Sequence, residues 1–342
     1  MIVLGYEFQT GPRRFFERCG AVNTKVTIRD VAAKAGVSIS SVHFALSGKA
    51  GVSDETREKI RRTAEEMGYQ PNTLASSLKR STQRIAILLP SDAGDNKYYY
   101  QPMWRGVHDY LSKLNANVEC IELPYYESDK NEVFAKLKQL VMERRIYGIL
   151  TVGHVDGFSA AQDWQDIHDR DISVVSINSE NKLCDSLCCI QPEYDVIGRT
   201  MAELIIDRIP EFGSIFLCAG NPKWDAHSLI VKGFDDYLAE NRCPNLVYKD
   251  YSYSINRQNY LNIFNKLTRP DVAACCSVYS QGTVMLGQAL EESKKAGKVY
   301  AVGSDLPDVT AKRLRRSVLN NVIQKNPYAQ GYVGIRTLAE YL

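Results

Sequence analysis

The chain has 342 residues, enough for two or three domains with cores of their own, and its 44% hydrophobic content is ordinary for a folded protein. No apolar run approaches the roughly 18–20 residues that span a membrane, and the start, MIVLGYEF then GPRRFFER, puts bases after apolar residues, the reverse of a secretory signal. The net charge of +2 is unevenly spread: residues 25–82 hold ten Lys/Arg against six Asp/Glu, and residues 83–342 hold 29 against 32. A cytoplasmic protein with a basic N-terminal module is therefore expected, and a phosphate-binding surface belongs in that module. The nine cysteines include the neighbours Cys188-Cys189 and Cys275-Cys276, poor geometry for disulfides. They read as reduced, mostly buried thiols. Cys184, Cys188 and Cys189 lack partners at CxxC or HxxxH spacing, so neither a metal site nor a cofactor is expected.

In chain order, residues 1–24 fit no element and read as a disordered extension, or as the product of a start placed too far upstream. The stretch 27–47, TIRDVAAKAGVSISSVHFALS, reads as two short helices and a tight turn. Thr27 caps the first with Asp30 three residues on, and Ile28, Val31, Ala32 and Ala35 recur at helical spacing. Gly36 supplies the positive φ that ends a helix. Ser38 caps the second helix, which turns Val42 and Leu46 inward. A third helix, from Ser53 to Met67, contributes the buried stripe Ile60, Ala64 and Met67. Residues 25–69 are thus a helix-turn-helix unit with its support helix. Pro71 separates it from a short segment, 70–82, in which Asn72 can cap and only Leu74, Ala75 and Leu78 are apolar. So few apolar groups cannot bury the segment without a partner.

From Arg84 onward apolar runs appear at 85–89, 117–123, 147–152, 173–178, 214–220, 272–278 and 299–305. Helical patterns alternate with them at Met103–Leu114, Asn131–Glu143, Tyr194–Arg208, Ala226–Glu240, Asn256–Leu267 and Gly282–Ser293. Alternation of this kind means parallel sheets covered by helices, and the strand number suits two similar lobes over 83–342. No strand is followed by GxGxxG, and GxxxxGK[ST], a nucleophile elbow and paired carboxylates do not occur. A binding cleft, not a catalytic site, is expected. The loops beyond the strands' carboxyl ends are the place to seek it. After the first strand come Asp95, Asn96, Tyr98, Tyr99 and Trp104, and rings beside amide and carboxylate groups suit a sugar.

The wording VTIRDVAAKAGVS, then ALSGKAGVSDETREKIRRTAEEMGYQPN, closely resembles the head of the lac repressor family of bacterial transcription regulators. The resemblance covers residues 26–342. It implies a homodimer on an operator, a hinge helix in 70–82, and a periplasmic-binding-protein-like core whose chain crosses between lobes near 184–194, 301–306 and 320–326. It makes Thr27, Ser38, Ile39, Ser40, Ser41, His43 and Phe44 the head's candidate DNA contacts. His43 and Phe44 stand where the family typically has serine and arginine, and Phe44 can touch a thymine methyl but cannot pair with guanine. Asn72, Ala75 and Leu78 are the hinge candidates, with Leu78 at the position of the leucine that wedges between base pairs. For the effector it implies Asn178, where relatives carry aspartate, then Asp305, Gln324 and Lys325. Ser228 replaces the family's arginine beside His227 and Trp224, and Gln281-Gly282 replaces its Asn-Asp pair. The last stretch, GYVGIRTLAEYL, reads as a further helix, after which relatives usually continue into one more strand. A DNA-binding repressor switched by a small polar ligand, most simply a carbohydrate, is the expectation. A solute-binding sensor or transport protein and a doubly wound enzyme are the alternatives.

Overall fold

The computed structural model describes residues 28–46, 52–67, 83–114, 118–153, 161–184, 186–210 and 212–342. The extension 1–24, the hinge segment and Thr27 lie outside the described residues. The described chain falls into a helical unit and a core unit that begins at Gln83.

The helical unit is α1 (Ile28–Ala35), α2 (Ile39–Leu46) and α3 (Asp54–Glu66). Gly36 adopts φ +66° at the end of α1. Ser38 Oγ accepts from Ser41 N at 3.1 Å and Ser53 Oγ from Thr56 N at 3.3 Å, each replacing a hydrogen bond that a helix start lacks. Val31, Ala32, Ala35, Val42, Ala45, Ile60 and Ala64 close a small core. Arg57 Nη1 donates to Ala45 O at 3.2 Å and so ties α3 to the end of α2.

The core has two all-parallel sheets. In lobe 1, β1 (Gln83–Pro90), β2 (Val118–Tyr125), β3 (Gly148–Val152), β4 (Ser173–Ile177) and β5 (Cys188–Ile190) lie in the order β2-β1-β3-β4-β5. In lobe 2, β6 (Ser214–Cys218), β7 (Val247–Asp250), β8 (Val272–Ser277), β9 (Tyr300–Ser304) and β10 (Asn321–Ile323) lie in the order β7-β6-β8-β9-β10. The winding is the same in both. Lobe 1 carries α4 (Lys97–Leu111), α5 (Lys130–Met142) and α6 (Ala161–His168); lobe 2 carries α7 (Tyr194–Ile206), α8 (Asp225–Glu240), α9 (Arg257–Leu267), α10 (Ser280–Glu292) and α11 (Asp308–Arg315). The last helix, α12 (Pro327–Tyr341), returns to lobe 1 and packs on α4, β3 and β4.

Three strands and two helices exceed the expectation. β5, β7 and β10 are edge strands of three or four residues, too short to leave an apolar run. Helices α6 and α11 are eight residues each. The helix expected from Met103 begins at Lys97 and carries Pro102 inside it. The chain leaves lobe 1 between Ile190 and Tyr194 and re-enters it between Ile323 and Pro327. No crossing occurs at 301–306, because β9 and β10 pair in one sheet, Val302 opposite Asn321. The described thiols are free, but only Cys218, Cys275 and Cys276 are buried; Cys120, Cys184, Cys188, Cys189 and Cys243 are half-buried. Burial pushes Cys189 up to about 12 and Cys120 to about 11, which makes both poor nucleophiles.

Each lobe is pinned by one close helix crossing. A Cβ at Gly106 of α4 would overlap Tyr328 O of α12, and one at Gly331 would overlap Met103 O. In lobe 2, a Cβ at Gly198 of α7 would overlap Ile230 O of α8, and one at Gly233 would overlap Asp195 O. Backbone meets backbone at all four, so no flexible side chain can give way. Gly198→Ala should therefore cost about 1–3 kcal/mol of core stability through overpacking. Urea denaturation checks this, and an unchanged midpoint would mean that the helices are not so closely apposed.

Candidate functional site

The site is a cleft of about 480 Å³ between the lobes, at the carboxyl ends of the strands where the winding order reverses. A short 3-10 turn, Gly94–Asn96, forms one lip. Asp95 reaches across to lobe 2: its Oδ2 accepts from Ile255 N at 3.2 Å and its carbonyl from Gln281 Nε2 at 2.7 Å.

One wall is aromatic. Tyr253, Trp224, His227 and Tyr279 follow one another with ring centroids 5.2, 5.1 and 5.3 Å apart. Tyr279 OH donates to Ser252 O at 2.6 Å, and burial pushes its phenol far above the ordinary range. His227 Nδ1 accepts from Asn221 N at 2.9 Å, so the neutral ring carries its proton on Nε2.

The floor is a buried polar chain that runs through both crossover segments. Ser280 Oγ donates to Asp305 Oδ2, and Lys325 Nζ sits 2.9 Å from the same oxygen and 2.9 Å from Val278 O. The Lys325 ammonium also lies 5.4 Å from the centre of the Tyr99 ring. Gln330 Nε2 donates to Lys325 O at 2.9 Å and to Tyr99 OH at 3.0 Å. Tyr99 in turn donates to Asn178 Oδ1 at 2.8 Å, and Tyr194 OH donates to Asn178 as well. Burial, then the neighbouring Tyr194 and Asp305, raise Tyr99 well above its ordinary value, so it stays a neutral donor. Asn178 and Asp305 hold matching places, each just past the fourth strand of its sheet in chain order. Both have positive φ, +67° and +61°, and each backbone N–H bonds the edge strand, to Ile190 O and Ile323 O.

The structure brings together Asp95, Asn96, Tyr99, Asn178, Trp224, His227, Gln281 and Lys325 in the cleft lining. It does not bring Tyr98, Trp104, Ser228, Asp305 or Gln324 there. Tyr98 is half-buried beneath Lys97, 5.0 Å from its ring centre. Trp104 is a core residue whose Nε1 donates to Pro90 O at 2.8 Å. Ser228 Oγ bonds back to its own helix, to Trp224 O and Asp225 O at 3.3 Å. Asp305 is 1% exposed and sits behind Lys325. Gln324 keeps its Oε1 buried without a hydrogen bond. The lining residues that sequence reasoning missed include Asn221, Tyr253 and Tyr279.

On the helical unit, Ser38 and Ser41 share a 2.8 Å hydroxyl contact at the start of α2. The backbone of α2 carries Ile39, Ser40, His43 and Phe44; their side chains, like all of Asn72, Ala75 and Leu78, lie outside what the structure describes.

The family model for a periplasmic binding protein domain matches residues 85–342, and that for bacterial regulatory proteins of the lacI family matches residues 27–72. Catabolite control protein A of Staphylococcus xylosus is 22% identical over 323 residues, which are 93% of this chain and 92% of that protein. Its namesake in Priestia megaterium is 32% identical over 238 residues, 67% of each chain. The lac repressor dimer bound to operator and an anti-inducer superposes with a TM-score of 0.58 at 18% identity over 93% of both chains. A solute-binding protein of Agrobacterium vitis with bound D-fucose gives 0.65 at 19% identity, over 75% of this chain and 89% of that one.

Proposed function

The chain belongs to the lacI family of bacterial regulatory proteins, and from this we propose that it is a cytoplasmic homodimeric repressor whose operator binding is switched by a carbohydrate in the interlobe cleft. One observation carries the reading: a helix-turn-helix unit precedes a two-lobed core whose cleft lies at the strands' carboxyl ends. The polar chain from Ser280 to Tyr194 passes through both crossovers, so a ligand that sets the lobe angle also acts on the segments joining the lobes. The dimer conveys that preference to the hinge by linkage. No enzymatic role is assigned.

In this reading Thr27, Ser38, Ile39, Ser40, Ser41, His43 and Phe44 face the operator. They read it through hydroxyl and apolar contacts, without a guanidinium–guanine pair. Asn72, Ala75 and Leu78 act in the minor groove, where Leu78 opens a base step.

Selection of duplexes from a random library by the full chain tests the reading, with a two-fold symmetric consensus as the expected result. Enrichment of no sequence would remove the regulator assignment. Leu78→Ala should weaken binding to the selected operator about tenfold or more and spare random DNA, because the wedge contributes only where the site kinks. Equal losses on both duplexes would show that Leu78 is not a wedge.

A further inference from the structure

The hydrogen-bond chemistry of the cleft floor is one-sided. Lys325 O accepts only, so Gln330 must present Nε2 to it and to Tyr99. Tyr99, already accepting from Gln330, gives its single proton to Asn178, which fixes the amide oxygen of Asn178 on that side. Its Nδ2 is left toward the cleft, with no partner among the described residues. The same holds for Asn221: its Oδ1 takes Lys223 N at 3.0 Å, leaving Nδ2 to the cleft. These two side chains are 6% and 8% exposed. His227 likewise has its acceptor nitrogen occupied, and both oxygens of Asp305 are engaged by Ser280 and Lys325. The cleft's own carboxylates, Asp95 and Glu127, stand exposed at its rim, and Glu127 pairs with Lys130. The first turns of α8 and α10 also line the cavity, through Ala226, His227, Ser280 and Gln281, and present the positive ends of their dipoles.

The two buried amides that line the cleft thus both turn donors toward it, and a carboxylate, which only accepts, answers them more fully than a hydroxyl does. We propose that the effector is a sugar acid, whose carboxylate accepts from the amides of Asn178 and Asn221 while its ring stacks on the Trp224–His227–Tyr279 wall. This rests on the reading that a carbohydrate occupies the cleft. A carboxylate suits the floor better than a phosphate, since the charge of Lys325 is already matched by Asp305.

Calorimetric titration of the full chain with uronates, aldonates, their parent neutral sugars and glucose 6-phosphate tests this. At least one acid should bind tenfold or more tightly than its parent sugar. Asn178→Asp keeps the shape and the bonds from Tyr99 and Tyr194 but turns an acceptor toward the cleft. It should weaken the acid at least tenfold in a chain that still unfolds in one cooperative transition. A parent sugar that binds as tightly as its acid overturns the proposal and leaves the carbohydrate reading standing. Glucose 6-phosphate binding more tightly than every carboxylate overturns it too. So does an acid preference that survives Asn178→Asp. If no sugar or acid binds, both the proposal and the carbohydrate reading fall.

Discussion

Asp305→Ala should destabilise the core by about 3–5 kcal/mol, the cost of leaving a buried charge without its partner. The two groups are 1% and 5% exposed, with Lys325 Nζ at 2.9 Å. Removing the carboxylate leaves the ammonium against Val278 O and the Tyr99 ring without its counter-charge. Lys325→Met should cost about as much for the mirror reason. Combining the two should cost clearly less than their sum, because the second change removes a charge that the first had orphaned. Urea denaturation of the three variants measures this. A single variant with native stability but no ligand response would restore Asp305 to the role of a ligand contact, the role expected for it from sequence.

Removal of residues 25–82 should abolish operator binding and leave ligand binding intact, since the cleft is built entirely from residues beyond Gln83. In the full chain, operator affinity should fall steeply with salt, because the ten Lys/Arg of that segment displace counterions from phosphates. A dimer making about 6–10 phosphate contacts loses roughly 10³- to 10⁵-fold between about 50 and 200 mM salt. Fluorescence anisotropy on a labelled operator reads both effects. A shortened chain that still bound the operator would move the DNA surface to the core.

The helical unit was legible because its signals are local: Gly36 ends a helix, Ser38 and Ser53 start two, and each acts within four residues of itself. Central strands were legible because both faces are buried, so Ile85 to Leu89 and Val272 to Ser277 are nearly continuous apolar runs. The edge strands β5, β7 and β10 run for only three or four residues each and carry no such mark. Their loss also hid part of the site, since Tyr253 follows β7, which sequence reasoning did not find. Asp305 was placed at the right strand end, and the structure seats it behind Lys325, outside the cleft lining. Whether a strand-end side chain lines the cleft or turns behind it depends on the crossover segment beside it, here Lys325, which sequence spacing does not encode. Asn178 has the same backbone geometry and does line the cleft.

The two crossovers carry a mechanical consequence. One connection between bodies leaves both bend and twist free. Two connections side by side, here joined through Tyr194, Asn178, Tyr99, Gln330 and Lys325, leave rotation about the line between them as the soft coordinate. Opening about that line is then the lobes' easiest relative motion, and what lies downstream responds chiefly to the opening angle. Chemically unlike molecules that hold the lobes at the same angle are synonyms to this switch, so its vocabulary is wider than its pocket chemistry.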